Sequence, residues 1–476
     1  MATNISSRYE HITCKVLIQS GSPAVYQLIP KKENIGDVKR ITLKRVTLGK
    51  KDPNKTNKTI LLVGETGTGK STLINALVNY AMGVKWEDDV WFQIIEEEEK
   101  KSQSESQTTD VIVYEIFGFE GKTLPYSLTI INTPGYGDTR GTEGDATITQ
   151  RLFQLFRSSD GVHEINAVGL VLKATDNRLN DRLRYIFNSV MSLFGNDMEK
   201  NIVALVTHSN GVTPENVLEA LKDANIKCAK DEEDEPLHFM FDNCQSTQRT
   251  KKNKVPLKAA WDLTKDQMGQ LTDYLKETSP QNLITTVEVL DARTRLAACI
   301  QNLQERMELT ELKQREIKQT QKALKKHEEE MKSNDKVTVC TGKCPASDYV
   351  KEKYKQNKAG SESKLSLLET LEKEMEKLQK GKDQLLEKSF QNVVKLEQIA
   401  LNVDSVSTHA HVDFLIEKMK EKGDTVKVQK LEEMKARMEK DKGIKSALWY
   451  GFSRIKAAGK AVIEAMKQNH CEQTAE

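Results

Sequence analysis

Apolar positions along this chain follow two regimes, and the change comes near Pro280. Before it, short apolar runs alternate with amphipathic stretches. The runs predict strands over 59–63, 111–116, 127–132, 166–172, 201–207 and 237–241. Ala167-Val168-Gly169-Leu170-Val171-Leu172 and Ile202-Val203-Ala204-Leu205-Val206 show no in–out alternation, as expected of strands covered on both faces. Helical spacing predicts helices around 70–82, 144–157, 180–194, 214–224 and 258–276. Strand and helix taking turns in this way give a doubly wound α/β domain over 59–280, with ligands expected at the carboxyl ends of the strands.

The flanks differ. Residues 1–58 hold short β-like pieces such as Cys14-Lys15-Val16-Leu17-Ile18 and Arg40-Ile41-Thr42-Leu43, interrupted by Gly21, Pro23 and Pro30. A basic, polar stretch from Lys50 to Lys58 reads as a linker into the α/β domain. The segment is therefore expected to be an extension without chemistry of its own. After residue 280 the spacing becomes four-three. Leu296, Ile300, Leu303 and Met307 continue through Ile317 and Leu324 to Met331, and Leu368, Leu371, Met375, Leu378 and Leu385 repeat the pattern. Residues 281–476 are thus an expected helical, coiled-coil region. Its seam is weakened by Gln314, Gln321 and Glu328 at the intervening positions.

Composition agrees with an extended helical part. Of 476 residues, 30 % are charged and only 37 % hydrophobic, more polar than one globular unit requires. The net charge of +2 is too small for a whole-molecule field toward nucleic acid. Seven scattered cysteines form no disulfide framework, and the stretch from Met1 to Val16 has no apolar leader, so a cytoplasmic protein is expected. Cys340 and Cys344 supply two thiols where a structural zinc site takes four ligands.

The chemistry concentrates between the first strand and the first helix. Gly64-Glu65-Thr66-Gly67-Thr68-Gly69-Lys70-Ser71 fits GxxxxGK[ST] at every fixed position and has the required strand before and helix after. Glycines let the loop form a nest of N–H groups around phosphate oxygens, and the helix start adds its positive end. Lys70 would reach the β- and γ-phosphates, Ser71 would ligate Mg²⁺, and Thr72 closes the candidate phosphate-binding stretch. The loop alone does not choose between ATP and GTP.

Later segments resemble GTPase motifs. Leu128-Thr129-Ile130-Ile131-Asn132-Thr133-Pro134-Gly135 is similar to the D-T-P-G strand end of translation-factor-class GTPases, with Asn132 in place of Asp. Tyr136-Gly137-Asp138 extends it to T-P-G-Y-G-D, which looks like the septin version, as does the stretch from Gly64 to Asn75. His163 to Leu172 resembles the box of immunity-associated (GIMAP-type) GTPases. Thr207-His208-Ser209-Asn210 falls where N/T-K-x-D belongs, and Phe241-Asp242-Asn243 resembles the fifth motif, F-N-N. These motifs, over about 59–245, place the chain by resemblance in the septin/GIMAP (paraseptin) branch of P-loop GTPases.

The resemblance implies GTP or GDP with Mg²⁺ as the bound species, and Gly135 at the γ-phosphate. His208 would pack against a purine, with Asn210 and Asn243 reading it. Asn210 keeps one acceptor where the family's Asp has two, so guanine selectivity should be reduced. Thr108, with Thr109 as runner-up, is the switch hydroxyl expected to close on Mg²⁺; it and Lys70 are the candidate catalytic residues. No Gln follows T-P-G-Y to position water, so hydrolysis is expected to be slow. The implied function is a GTP-dependent oligomerising switch or scaffold that pairs with a second copy. A nucleotide-loaded scaffold without hydrolysis is the alternative, and a coiled-coil ATPase is disfavoured by the missing acidic Walker B residue. Residues 443–467 place Ile444, Leu448, Phe452, Ile455, Val462 and Met466 within an arc of about 80° flanked by lysines, a pattern suited to an anionic membrane surface.

Overall fold

The computed structural model describes Tyr9, Ile12 and residues 15–35, 43–96, 110–136, 141–175, 181–334, 345–403 and 406–438. In chain order the strands are β1 (Lys15–Gln19), β2 (Ala24–Leu28), β3 (Lys31–Ile35), β4 (Leu43–Leu48), β5 (Asn57–Gly64), β6 (Val90–Gln93), β7 (Ile112–Ile116) and β8 (Ser127–Asn132). They continue with β9 (Glu164–Ile165), β10 (Ala167–Lys173), β11 (Ile202–Thr207), β12 (His238–Phe241) and β13 (Gln281–Asn282). The helices are α1 (Lys70–Met82), α2 (Gly141–Arg157), α3 (Asp181–Met191), α4 (Glu215–Asp223) and α5 (Lys254–Glu277), then α6 (Ile284–Asn334), α7 (Pro345–Ile399), α8 (Val406–Lys422) and α9 (Thr425–Met438). The chain divides into two compact units, one within 1–291, 396–410 and 433–476, the other within 292–395 and 411–432.

The first unit is built on an eight-stranded sheet of order β12-β11-β10-β5-β8-β7-β4-β3. From β12 to β8 all neighbours are parallel; β7 runs antiparallel to β8, and β3 to β4. Along β5 the side chains go alternately to two cores. Ile60 and Leu62 join α1 and α5 on one face, while Leu61 and Val63 join α2, α3 and α4 on the other. Both directions lead into apolar packing, which is why the run carries no polar alternation. β11 repeats the division, with Val203 and Leu205 on one side and Ile202, Ala204 and Val206 on the other.

The segment before residue 59 does not stand apart in the structure. β4 pairs in parallel with β7 (Lys44 with Ile112 through Leu48 with Ile116), and β3 closes that edge. The expected linker ends at Lys58, but β5 already starts at Asn57, whose amide donates to Thr129 Oγ1 at 3.0 Å. β4 begins at Leu43, the last residue of the β-like piece read at 40–43, and runs on to Leu48. Edge position explains the weak sequence signal: β3 shows water its Lys31, Lys32, Glu33 and Asn34, a polar face that discourages further strand pairing. β1 and β2 form a second, three-stranded sheet with β6.

In the second unit α6 and α7 run antiparallel. Lys313 pairs with Glu374 at 3.1 Å, and about two turns away a Cβ added at Gly381 would meet the Arg306 guanidinium. The buried stripe differs from the expected seam by one position. Gln314 and Gln321 are exposed, whereas Lys313 and Thr320 are half-buried beside Ile317. Thr310 and Thr320 satisfy their hydroxyls on the carbonyls of Arg306 and Glu316 (2.7 and 2.9 Å), so threonine tolerates the inward position better than glutamine does. α7 also meets α8 and α9 through Lys422–Asp383 (3.0 Å) and Lys427–Glu387 (2.6 Å). Among the described residues no helix is long and apolar enough to cross a membrane. The amphipathic stretch 443–467 and the Cys340/Cys344 pair lie outside the described residues.

Candidate functional site

The carboxyl ends of β5, β8, β10, β11 and β12 come out on one edge of the sheet, and the candidate residues collect there. Because β5 and β10 are parallel and in register, the loop leaving Gly64 is backed by Val171. Gly69, at φ 86°, precedes α1 in the left-handed region, and no side chain caps the helix. The first-turn N–H groups of α1 are therefore not taken up by a capping side chain. Gly135 lies so near the loop that a Cβ there would sit 2.2 Å from Thr66 Oγ1 and 2.5 Å from its Cα. Only glycine fits that approach.

Main-chain bonds fix the two loops to each other. Tyr136 N donates to Gly64 O at 3.1 Å, and Thr133 Oγ1 donates to Leu62 O at 2.9 Å. Asn132, buried at the end of β8, is in register with Leu62. Lys70 is buried, and its Nζ donates to Gly64 O (3.0 Å) and Glu65 O (2.8 Å). Burial lowers its pKa to about 7, opposed by the nearby Glu65 carboxylate. Ser71 is half-buried in the first turn of α1, and Thr72 points to solvent. The end of β10 adds a cation that no motif signals: Lys173 Nζ lies 3.8 Å from where a Cβ on Gly67 would be.

Two further loops complete the edge. Thr207, the last residue of β11, donates its hydroxyl to Thr68 O (2.7 Å) and Leu172 O (3.0 Å), which ties β11 to the phosphate-type loop. His208 follows at φ 54° with Nδ1 3.1 Å from Thr207 Oγ1, and its Cε1 is 3.7 Å from a Cβ position on Gly69. Asn210 is exposed and accepts from Val212 N at 3.1 Å, an Asx turn. Ser209 N donates to Phe241 O at 3.1 Å and so joins this loop to the one after β12. There Asn243 has both amide atoms, Oδ1 and Nδ2, buried without a hydrogen-bond partner. An unmet buried polar group costs about 1–3 kcal/mol, so two on one side chain at this edge ask for a ligand.

Residues 54–151 match the septin family model. Over that stretch, which runs from β5 through α1 and β8 into α2, the chain is similar to a septin-type P-loop GTPase domain. No curated protein sequence matches the chain. Among solved structures it is similar to Toc33 from Arabidopsis thaliana in complex with Mg²⁺ and GMPPNP, at 15 % identity, with 48 % of this chain and 88 % of that one covered and a TM-score of 0.33. It is also similar to LeoA, a bacterial dynamin GTPase from ETEC, at 13 % identity over 76 % of this chain and 61 % of that one, with a TM-score of 0.28. Likeness at these scores carries no argument about the site.

The α/β domain thus brings together Gly64 to Lys70, Asn132, Gly135, Thr207 and His208, with Asn210 and Asn243 on the adjoining loops. Thr108 and Thr109 fall outside the described residues. The Lys70 environment sets a pH dependence. An anion against Nζ favours its charged form, so above pH 7 binding should take up a proton. Affinity for a fully ionised triphosphate should fall as pH rises from 7.5 to 9.5, with a slope of log K approaching −1. Titration calorimetry in buffers of different ionisation enthalpy checks it, and zero proton uptake at pH 8.5 would contradict it. The unfolded chain keeps an ordinary lysine near 10.5, so it binds more protons than the folded one between pH 7 and 10.5. Folding stability from this group therefore rises with pH across that window.

Proposed function

We propose that this chain binds GTP and GDP with Mg²⁺ and acts as a nucleotide-dependent oligomerising switch or scaffold with slow hydrolysis. The observation carrying the reading is that one edge holds both the uncapped glycine loop around Lys70 and an amide, Asn243, with donor and acceptor unmet. The first suits phosphate, the second the polar edge of a base. Lys70 would hold the β- and γ-phosphate charge, and the Ser71 hydroxyl would face the Mg²⁺ ion. That ion, when bound, neutralises charge on the phosphate oxygens. Asn132 offers an acceptor without a formal charge near the same place, which weakens the hold on metal-bound water. Thr66 Oγ1, buried and without a partner, is a further donor for a phosphate oxygen.

A second reading, a nucleotide-loaded scaffold that does not hydrolyse, is favoured by the neutral, buried Asn132. Competition between GTP and ATP for the purified full chain tests the first claim; ATP binding as well as GTP would overturn the guanine assignment. Single-turnover hydrolysis separates the two readings. For assembly, sedimentation of the full chain should show dimer with a non-hydrolysable GTP analogue and mostly monomer without nucleotide. The full chain is needed because a fragment starting at residue 59 would strip β3 and β4 from the sheet. Monomer in both conditions would leave no nucleotide-driven pairing.

A further inference from the structure

The loop from β12 to α5 has Asn243 at one end and Arg249 six residues on, and the second end is fixed by the N-terminal hairpin. Ser22, in the turn between β1 and β2, donates its N–H to Gln248 Oε1 at 3.1 Å, and Gln248 Nε2 donates to Pro23 O at 2.9 Å. Arg249 N donates to Ser22 O. The Arg249 guanidinium lies 3.5 Å above the Trp86 ring, with Trp261 5.6 Å away, and only 5 % of its side chain is exposed. Nη1 donates to Trp86 O (2.7 Å) and Asp89 Oδ1 (3.0 Å). Asp89 in turn accepts from Ser22 Oγ at 2.6 Å, so turn, arginine and Asp89 form one closed set. Gly21, at φ 136°, has no room for a side chain: a Cβ would lie 1.9 Å from Gln248 Oε1.

At its other end the loop is held by Thr264, which donates to Asp242 O (3.0 Å) and accepts from Asp242 N (3.1 Å). Asn243 itself has no such bonds. Its position is thus inherited from the two anchors on either side.

We propose that the Gly21–Pro23 turn, Gln248 and Arg249 form a positioning clamp for the base loop, so that the N-terminal hairpin governs the base-dependent part of nucleotide binding. The clamp rests on the nucleotide reading above, through Asn243. It acts on the base and leaves the phosphate loop alone, because nothing in it touches residues 64–70. Arg249 is a positioning residue: a lysine keeps the charge but loses the planar stack on Trp86 and the fixed fork of Nη1.

The test measures binding of GTP and of Mg²⁺–tripolyphosphate, a probe with phosphates and no base, to the full chain by calorimetry. Gly21→Ala, Gln248→Ala and Arg249→Lys should each lower GTP affinity by about tenfold, the scale of one buried amide's contacts. Tripolyphosphate affinity should stay unchanged. Circular dichroism checks folding; if Gly21→Ala does not fold, Gln248→Ala and Arg249→Lys carry the comparison. Folded variants with unchanged GTP affinity, or with equal losses for both probes, overturn the clamp while leaving the nucleotide reading in place. A wild-type chain that binds GTP no tighter than tripolyphosphate overturns the nucleotide reading itself, and the clamp with it.

Discussion

Lys70→Ala is expected to abolish measurable triphosphate binding while leaving thermal stability close to that of the wild type. The two expectations come from one fact, that Lys70 is a buried cation. Charge-assisted bonds to the β- and γ-phosphates together are worth roughly 3–5 kcal/mol, or about 150- to 5,000-fold in affinity. The same burial makes the side chain costly to the fold: its pKa is drawn down to about 7, and keeping it charged below that pH opposes folding. Removing it forfeits two bonds to Gly64 O and Glu65 O but also removes that cost. Calorimetry with GTP and a thermal melt on the same sample check both halves. Unchanged affinity would sink the phosphate-loop assignment; lost affinity with a collapsed melting transition would make Lys70 a structural residue instead.

What could be read from the sequence follows from where the information is stored. Inner parallel strands such as β5 and β11 lie between two cores, so each is written as an uninterrupted apolar run next to a helix of clear period. The glycine loop is likewise local, eight residues whose spacing carries its own geometry. β3 and β4 are different. β4 belongs to the sheet through pairing with β7, some seventy residues away, and β3 only through β4; their exposed faces are charged, so neither periodicity nor composition reveals it. The helical seam shows a milder form of the same limit. Leucine spacing gives the period, but whether Lys313 or Gln314 turns inward depends on a partner carboxylate at Glu374 that only the antiparallel pairing supplies. Arg249 is the extreme case, since its meaning depends on Trp86, Asp89 and Ser22, residues that lie 160 and more positions earlier in the chain.

Asn210→Asp is expected to raise the preference for GTP over inosine triphosphate by roughly ten- to a hundredfold, corresponding to about 1.5–3 kcal/mol for one added charge-assisted bond. The loop can accept the change. Asn210 uses its Oδ1 to take the Val212 N–H at 3.1 Å, and an aspartate makes the same turn with one oxygen. What alters is the other terminal atom, from an NH₂ donor to a charged acceptor. Guanine presents two donors on one edge, N1–H and the 2-amino group, and inosine lacks the second; an amide can meet only one of them. The position is right for this, since the Asn210 loop is tied to the phosphate loop through Thr207 and Thr68 and to the Asn243 loop through Ser209 and Phe241. Exposure of Asn210 means the new carboxylate has no burial cost in the free protein. Competition titration with the two nucleotides decides it. A ratio that does not move would place base reading on His208 and Asn243, with the Asn210 side chain serving the turn alone.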